Sequence, residues 1–288
     1  MEYLIHIAIL VCIYGILGLS LNLLVGEAGL VSVTQAAFFG IGAYGTALLM
    51  TNFGINFFLA LLTGMAASGL VALLIGLVLS RFKDDFYVLV SVGFNVIVWS
   101  VMLNWQDLTH GPLGVPGIGR PEIFGFVFSE NIFFLGLAAA FLAATYWLCV
   151  FITGSSFGRV LKAIREDEEA ISVFGYATSY YKLLIFIISA LLAAVAGGLF
   201  ASYITFIDPS SFMLSESIFM LAIVILGGLS SNRGAVLGAL FLIVLPEALR
   251  FVGFPPDIAA QMRQLTYGLI LILLMLYRPQ GLMGTFRM

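Results

Sequence analysis

Apolar residues in this chain run in continuous blocks, and the polar and turn-forming residues gather in short breaks between them. A hydrocarbon core of about 30 Å takes around 20 apolar residues as a helix. Blocks of that kind lie near 4–25, 30–50, 55–79, 86–104, 131–153, 183–206, 216–230, 234–253 and 264–277. Strands that cross a bilayer alternate apolar and polar positions, so unbroken runs point to helices. The breaks hold Arg81 to Asp85, His110-Gly111-Pro112, Asp208-Pro209 and Gly253 to Pro256. The pattern predicts an all-α, polytopic transmembrane chain of roughly nine spans in two halves, a single domain over 1–288. Gly40, Gly42 and Gly45 leave the 30–50 block open to a break, and the 216–230 block is short and ends in Gly227-Gly228. Interrupted segments in both halves mark a binding path near the midplane or simply let helices pack closely. The run Gly64-Met65-Ala66-Ala67-Ser68 is of the packing kind.

Composition supports the same class. Hydrophobic residues make up 62% and charged residues 9%, against roughly 25% charged in a soluble domain. Mean hydropathy is +1.14. Lipid is therefore the expected solvent for most of the surface. The first block is not preceded by Lys or Arg, which argues against a cleavable secretory signal and for a retained span. A net charge of −3 gives no basis for a nucleic-acid partner. Cys12 and Cys149 sit inside apolar blocks and read as small hydrophobes, with no disulfide framework or metal site suggested.

Loops on the cytoplasmic side are enriched in Lys and Arg. Nine spans with the C-terminus inside place Arg81, Lys83, Arg159, Lys162, Arg165, Lys182, Arg233, Arg278 and Arg287 in the cytoplasm, leaving Arg120, Arg250 and Arg263 outside. The reverse threading inverts that bias. Loop 155–181 is then cytoplasmic and loop 105–130 external.

The cytoplasmic loop reads as one amphipathic helix. Ser156 suits its N-cap, and Gly175 suits the left-handed position after its end. Val160, Leu161, Ile164, Ile171 and Phe174 form an apolar stripe along about 27 Å at 1.5 Å per residue. Arg159, Lys162, Arg165, Glu166, Asp167 and Glu169 occupy the other face, with Lys162–Glu166 and Arg165–Glu169 at i,i+4 spacing. A helix lying on lipid needs a basic polar face, and the acidic run from Glu166 disfavours that. Two readings stay open: it covers the protein's own helix ends, or it docks into a cytosolic partner.

The run from Gly158 to Ala170, followed by Gly175, resembles the coupling segment of binding-protein-dependent ABC importers, closest to the LivM-type permease of branched-chain amino acid systems. The family's Glu-Ala-Ala-x3-Gly pattern appears as Glu169-Ala170-Ile171-x3-Gly175, with Ile171 in place of the second Ala. The segments Leu21 to Gly26 and Gln35 to Tyr44 resemble the first-half signature, which differs in the sister LivH-type subunit. Thr109, Gly111, Pro112, Gly114, Gly117 and Ile118 follow the outer loop, in which His110, Leu113 and Pro116 depart from the usual residues. Leu226 to Leu229 and Arg278 to Leu282 match the second half and the tail. The resemblance implies an inner-membrane permease that pairs with a LivH-type permease, two cytosolic ABC ATPases and a periplasmic solute-binding protein. It also implies that Arg159, Leu161, Ile164, Glu169, Ala170, Ile171, Phe174 and Gly175 couple to the ATPases, which use the ATP and Mg. The chain itself is expected to bind no cofactor.

No Gly-x4-Gly-Lys-Ser/Thr phosphate loop, HExxH or nucleophile elbow occurs, and His6 and His110 are far apart, so no enzyme is indicated. Ser210-Ser211 and Ser230-Ser231 read as turn residues. Ionisable groups at membrane depth are few: Glu27 lies at a span boundary, Glu216 opens a span, and Glu247 is spaced to pair with Arg250. A zwitterionic amino acid needs polar contacts for its charges and an apolar wall for its side chain. Asn22, Gln35, Asn95 and Glu247 are candidates for the first, and Phe38, Phe39 and Phe94 for the second. The expected function is import of branched-chain amino acids. Alternatives are urea, short amides or a monosaccharide carried by a related system, or an ion-coupled secondary transporter.

Overall fold

The computed structural model describes residues 2–250 apart from 83, 124–125 and 129, and beyond them 262, 265–266, 268–269, 272–273 and 281–283. Helix α1 (Glu2–Leu21) runs directly into a π-helical turn, Asn22–Glu27. It is followed by α2 (Gln35–Phe53), α3 (Phe57–Leu79), α4 (Asp84–Asn104) and the short α5 (Gln106–Thr109). The second half holds α6 (Asn131–Gly154), α7 (Ser156–Glu166), α8 (Glu168–Val173), α9 (Thr178–Ile204), α10 (Leu214–Gly227) and α11 (Asn232–Arg250).

Local chemistry sets the boundaries. The left-handed Gly54 closes α2, its N–H donating to the Met50 carbonyl at 3.2 Å and the Ile55 N–H to the Leu49 carbonyl at 3.3 Å. Asn56 opens α3, its Oδ1 accepting from the Phe58 N–H at 3.0 Å. The 30–50 block does not become helical at its start. Ser32 and Thr34 hydrogen-bond each other at 2.9 Å and Ser32 also takes the Thr34 N–H, so residues before Gln35 stay irregular. Of the two readings of the glycines in that block, close packing holds, and Gln35–Phe53 is one helix.

Six helices among the described residues are long and apolar enough to cross a membrane, which makes this a multi-pass membrane protein. Helix α10 has 14 residues, about 21 Å at 1.5 Å each and short of a hydrocarbon core. Helix α11 carries Pro246 in its interior. The 264–277 block, the Gly253 to Pro256 break and the end of the 234–253 block fall mostly outside the described residues; of the seven blocks wholly described, six are full-length spans and 216–230 is the short α10.

Helices α2, α3 and α9 make the densest core, and α1 lies between that group and α6, α10 and α11. Backbones touch where α2 crosses α9: a Cβ on Gly42 would enter the Ala194 backbone, and one on Gly197 would meet the Phe39 carbonyl. Gly64 approaches Gly45 in the same manner, and Ser68 Oγ donates to the Ala190 carbonyl at 3.1 Å, as the small-residue run in α3 suggested. At the end of the molecule opposite α7, strand β1 (Val115–Pro116) pairs antiparallel with a later strand, Phe206–Ile207. A hairpin of β2 (Glu122–Ile123) and β3 (Phe126–Val127) lies between them in sequence, which makes Phe206–Ile207 β4.

The irregular stretch 28–34 feeds α2, the stretch 205–213 with β4 and a 3-10 turn feeds α10, and these two helices meet inside the protein. The Ala36 N–H of α2 donates to Ser217 Oγ of α10 at 2.9 Å. Helix α2 thus begins within the bundle, and α10 from the other half of the chain meets it there.

Candidate coupling junction

Ser155, rather than Ser156, caps α7, its Oγ accepting from the Gly158 N–H at 3.3 Å. The single helix expected over 156–174 is broken. Asp167 takes an extended conformation (φ −157°, ψ 99°), and its Oδ1 accepts the Ala170 N–H at 2.9 Å to start α8. A carboxylate that caps a new helix competes with continuation of the old one. The expected stripe therefore divides. Leu161 and Ile164 are buried against the chain's own helices, and Val160 and Ile171 are half-buried. Phe174 is 78% exposed, beside Val173 at 86%.

The inner side of α7 closes on the end of α1. Lys162 Nζ lies 3.4 Å from Glu27 Oε2, and the Glu27 side chain is only 2% exposed. Ser230 Oγ donates to Glu27 Oε1 at 3.1 Å. Lys162 thus serves the fold as a long-range partner of Glu27, where its spacing suggested Glu166. Arg165 donates through Nη1 to the Gly26 carbonyl and pairs through Nη2 with Glu166 at 3.2 Å. Its stem lies on Gly29, whose φ of +72° and lack of a Cβ admit that approach. Removing one partner of a buried ion pair costs roughly 3–5 kcal/mol; Lys162 is 44% exposed, so less is expected here.

The same junction reaches the second half. Asn22 Oδ1 accepts the Ser230 N–H at 3.1 Å, and Asn22 Nδ2 donates to Asn232 Oδ1 at 3.2 Å. These bonds hold Ser230 at a φ of +62°. The Leu282 and Met283 N–H groups donate to the Leu226 and Gly227 carbonyls at 2.8 and 2.9 Å. Four segments that lie far apart in sequence therefore meet within one knot: 22–29, 162–165, 226–232 and 281–283.

Helix α8 is held on one side and open on the other. Glu168 accepts from Lys182 and, at 3.1 Å, from Thr178 Oγ1 of α9. Ile171 is half-buried, and Glu169, Ala170 and Gly175 are exposed. Gly175 takes the left-handed conformation expected of it (φ +89°). Arg159 is exposed on α7, with Nη1 3.5 Å from the Gly154 carbonyl.

The proposed path residues scatter. Asn22 belongs to the junction. Gln35 donates through Nε2 to Ser20 Oγ and, at 3.3 Å, to Ser189 Oγ. Phe38 is buried with its ring 5.4 Å from those of both Phe94 and Phe186, while Phe39 meets Phe212 edge to face at 5.2 Å. Glu247 accepts from Tyr3 OH, and the side chain of Arg250 lies outside the described residues. Glu216 accepts from Tyr14 OH at 2.5 Å. Asn95 donates through Nδ2 to the Val33 carbonyl at 3.1 Å and to Ser217 Oγ at 3.0 Å, at the meeting of α2 and α10. Ser211 is the turn residue expected, bound to Asp208. Glu27 and Ser230 were not singled out as site residues, because nothing local in a sequence shows a pairing across so many residues.

Residues 3–277 match the family model described as branched-chain amino acid transport system / permease component. The chain belongs to this permease family. It is 34% identical to the LivM permease protein of the high-affinity branched-chain amino acid transport system of Salmonella typhimurium, over 98% of this chain and 70% of that protein. The LivM protein of Escherichia coli is 35% identical over the same shares. The LivH protein of Salmonella typhimurium is more distant, 26% identical over 94% of this permease and 91% of that protein. No solved structure matches the permease.

Proposed function

We propose that this permease is the LivM-type membrane subunit of an ABC importer for branched-chain amino acids, and that the α7–α8 segment is where a cytosolic ATPase engages it. The observation that carries the reading is the two-sidedness of that segment. Its α7 half is fastened to the ends of α1 and α10 through Lys162, Glu27 and Ser230. Its α8 half presents Val173, Phe174 and Tyr176 outward. Exposed apolar side chains clustered at a polar end of a membrane protein suit contact with another protein. A push on α8 would pass through α7 into the ends of α1 and α10.

The excess of Lys and Arg at this end supports a cytoplasmic location in the inner membrane. The relatives' transport system supports branched-chain amino acids as solute, and the distant likeness to LivH supports a second permease as partner. ATPases that bind ATP and Mg, and a periplasmic solute-binding protein, complete the assembly we propose. The test is reconstitution with those partners in liposomes. ATP-dependent leucine uptake, lost without the ATPases, is the expected result; uptake driven by an ion gradient alone refutes the reading.

A further inference from the structure

Beside the coupling junction, residues 28–31, Phe82 with the first turns of α4, and α7 enclose a cavity of about 430 Å³. Small-molecule pockets span roughly 300–1,000 Å³. Leu30, Val31, Phe82, Val88 and Ile164 supply apolar wall. Asp85, Arg165 and Glu166 bring charges of both signs to the same space. Lys182 and Glu168 also line it and are paired with each other.

A ligand can reach these charges. Asp85 is exposed and forms no ion pair among the described residues. The Glu166 side chain is 61% exposed and that of Arg165 15%. Arg165 Nη2 and Glu166 Oε1, 3.2 Å apart, join neighbouring residues at the surface. Exposed pairs of this kind contribute little to stability, so a ligand that satisfies both ends can replace the contact. With Lys182 and Glu168 neutralising each other, one guanidinium and two carboxylates remain, and a bare anion is repelled. An ammonium and a carboxylate on one carbon match both signs, and the apolar wall suits an aliphatic side chain.

We infer that this cavity binds a cytosolic α-amino acid with an aliphatic side chain, the imported solute after its release, and that its occupancy slows the transport cycle. The ammonium donates to Asp85 and to the Glu166 carboxylate. The ligand carboxylate accepts from Arg165 Nη2 in place of Glu166, and Arg165 keeps its bond to the Gly26 carbonyl. The aliphatic part lies along Leu30, Val31, Phe82 and Val88. An occupant held in this way ties the start of α4 to α7, the segment through which a push on α8 reaches the ends of α1 and α10. Accumulated product then resists that movement. The inference rests on the function proposed above and adds control of it from the product side.

Val31 is 42% exposed and lines the cavity, whereas the chain's two cysteines are buried. Val31→Cys can therefore be labelled with a small uncharged maleimide, read on this chain by mass spectrometry. The sample is the complex of permeases and ATPases in nanodiscs, where both faces are accessible, without the binding protein. Millimolar leucine is expected to slow both labelling and ATP hydrolysis several-fold, and 4-methylpentanoate, which lacks the ammonium, is expected to slow neither. Asp85→Asn should raise the leucine concentration needed for both effects about tenfold; an unchanged labelling rate without leucine shows that the cavity has kept its shape. In a complex that imports leucine once the binding protein is restored, unchanged labelling or unchanged hydrolysis overturns the inference alone. Equal protection by isoamylamine also overturns it, since the contact with Arg165 would then be idle. A complex that imports no branched-chain amino acid overturns the underlying function as well.

Discussion

Helix α7 turns Gly158, Leu161 and Ile164 into the chain and fastens itself through Lys162 and Arg165, whereas α8, the next six residues after Asp167, buries none of its side chains fully. Both helices are polar, short and adjacent, so composition does not explain the difference. The break at Asp167 does. It lets one segment keep an apolar face toward α6, α9 and the end of α1 while the following residues present Val173 and Phe174 to the outside. An uninterrupted helix has one apolar stripe and can serve only one of these surfaces. In the proposed coupling role the segment needs a grip at each end, and the cap at Asp167 provides the change of direction.

The contrast can be tested by substitutions, taken in order of their effect on the chain's stability. Ile164→Asp places a charge in a site only 4% exposed against the protein's own helices and should cost about 4 kcal/mol or more. Low recovery of folded chain from membranes is expected. A normal yield with loss of transport would return Ile164 to a partner contact and break the comparison. Lys162→Met leaves Glu27 with Ser230 and without its cation. A loss of roughly 1–3 kcal/mol is expected, read as a lower melting temperature in detergent together with fewer solutes carried per ATP. Asp167→Ala removes the cap of α8 at about 1 kcal/mol. Faster amide exchange at Ala170, with little change in α7, is the outcome that sharpens the division. Phe174→Asp should alter stability by no more than about 0.5 kcal/mol, yet abolish co-purification of the ATPase. If the ATPase still binds, α8 is not the outer grip.

Much of the architecture was legible because a bilayer demands long apolar runs, and residues 2–27, 57–79, 131–154 and 178–204 follow that demand closely. The break at Asp167 was not legible. Its carboxylate fits the polar face of one long helix as well as it fits a cap, and periodicity cannot separate the two. Asn22 and Gln35 read as path residues because polar groups in apolar blocks invite that reading. Their partners, Ser230, Asn232, Ser20 and Ser189, are supplied by helix packing that only the folded chain reveals. Asn95, another path candidate, is likewise buried and donates to the Val33 carbonyl and Ser217 Oγ. The family motifs were visible separately, but not that 22–29, 226–232 and 281–283 come together in one place.

The backbone contact of Gly42 and Gly197 bears on where such a transporter opens. Where Gly42 meets the Ala194 backbone and Gly197 the Phe39 carbonyl, α2 and α9 touch main chain to main chain, and the first and second halves of the polypeptide are held as one slab. Sliding one half past the other would drive main chain into main chain. In the proposed importer the gate is therefore a seam between two slabs, this chain and its companion permease, and each slab tilts whole when the motor closes.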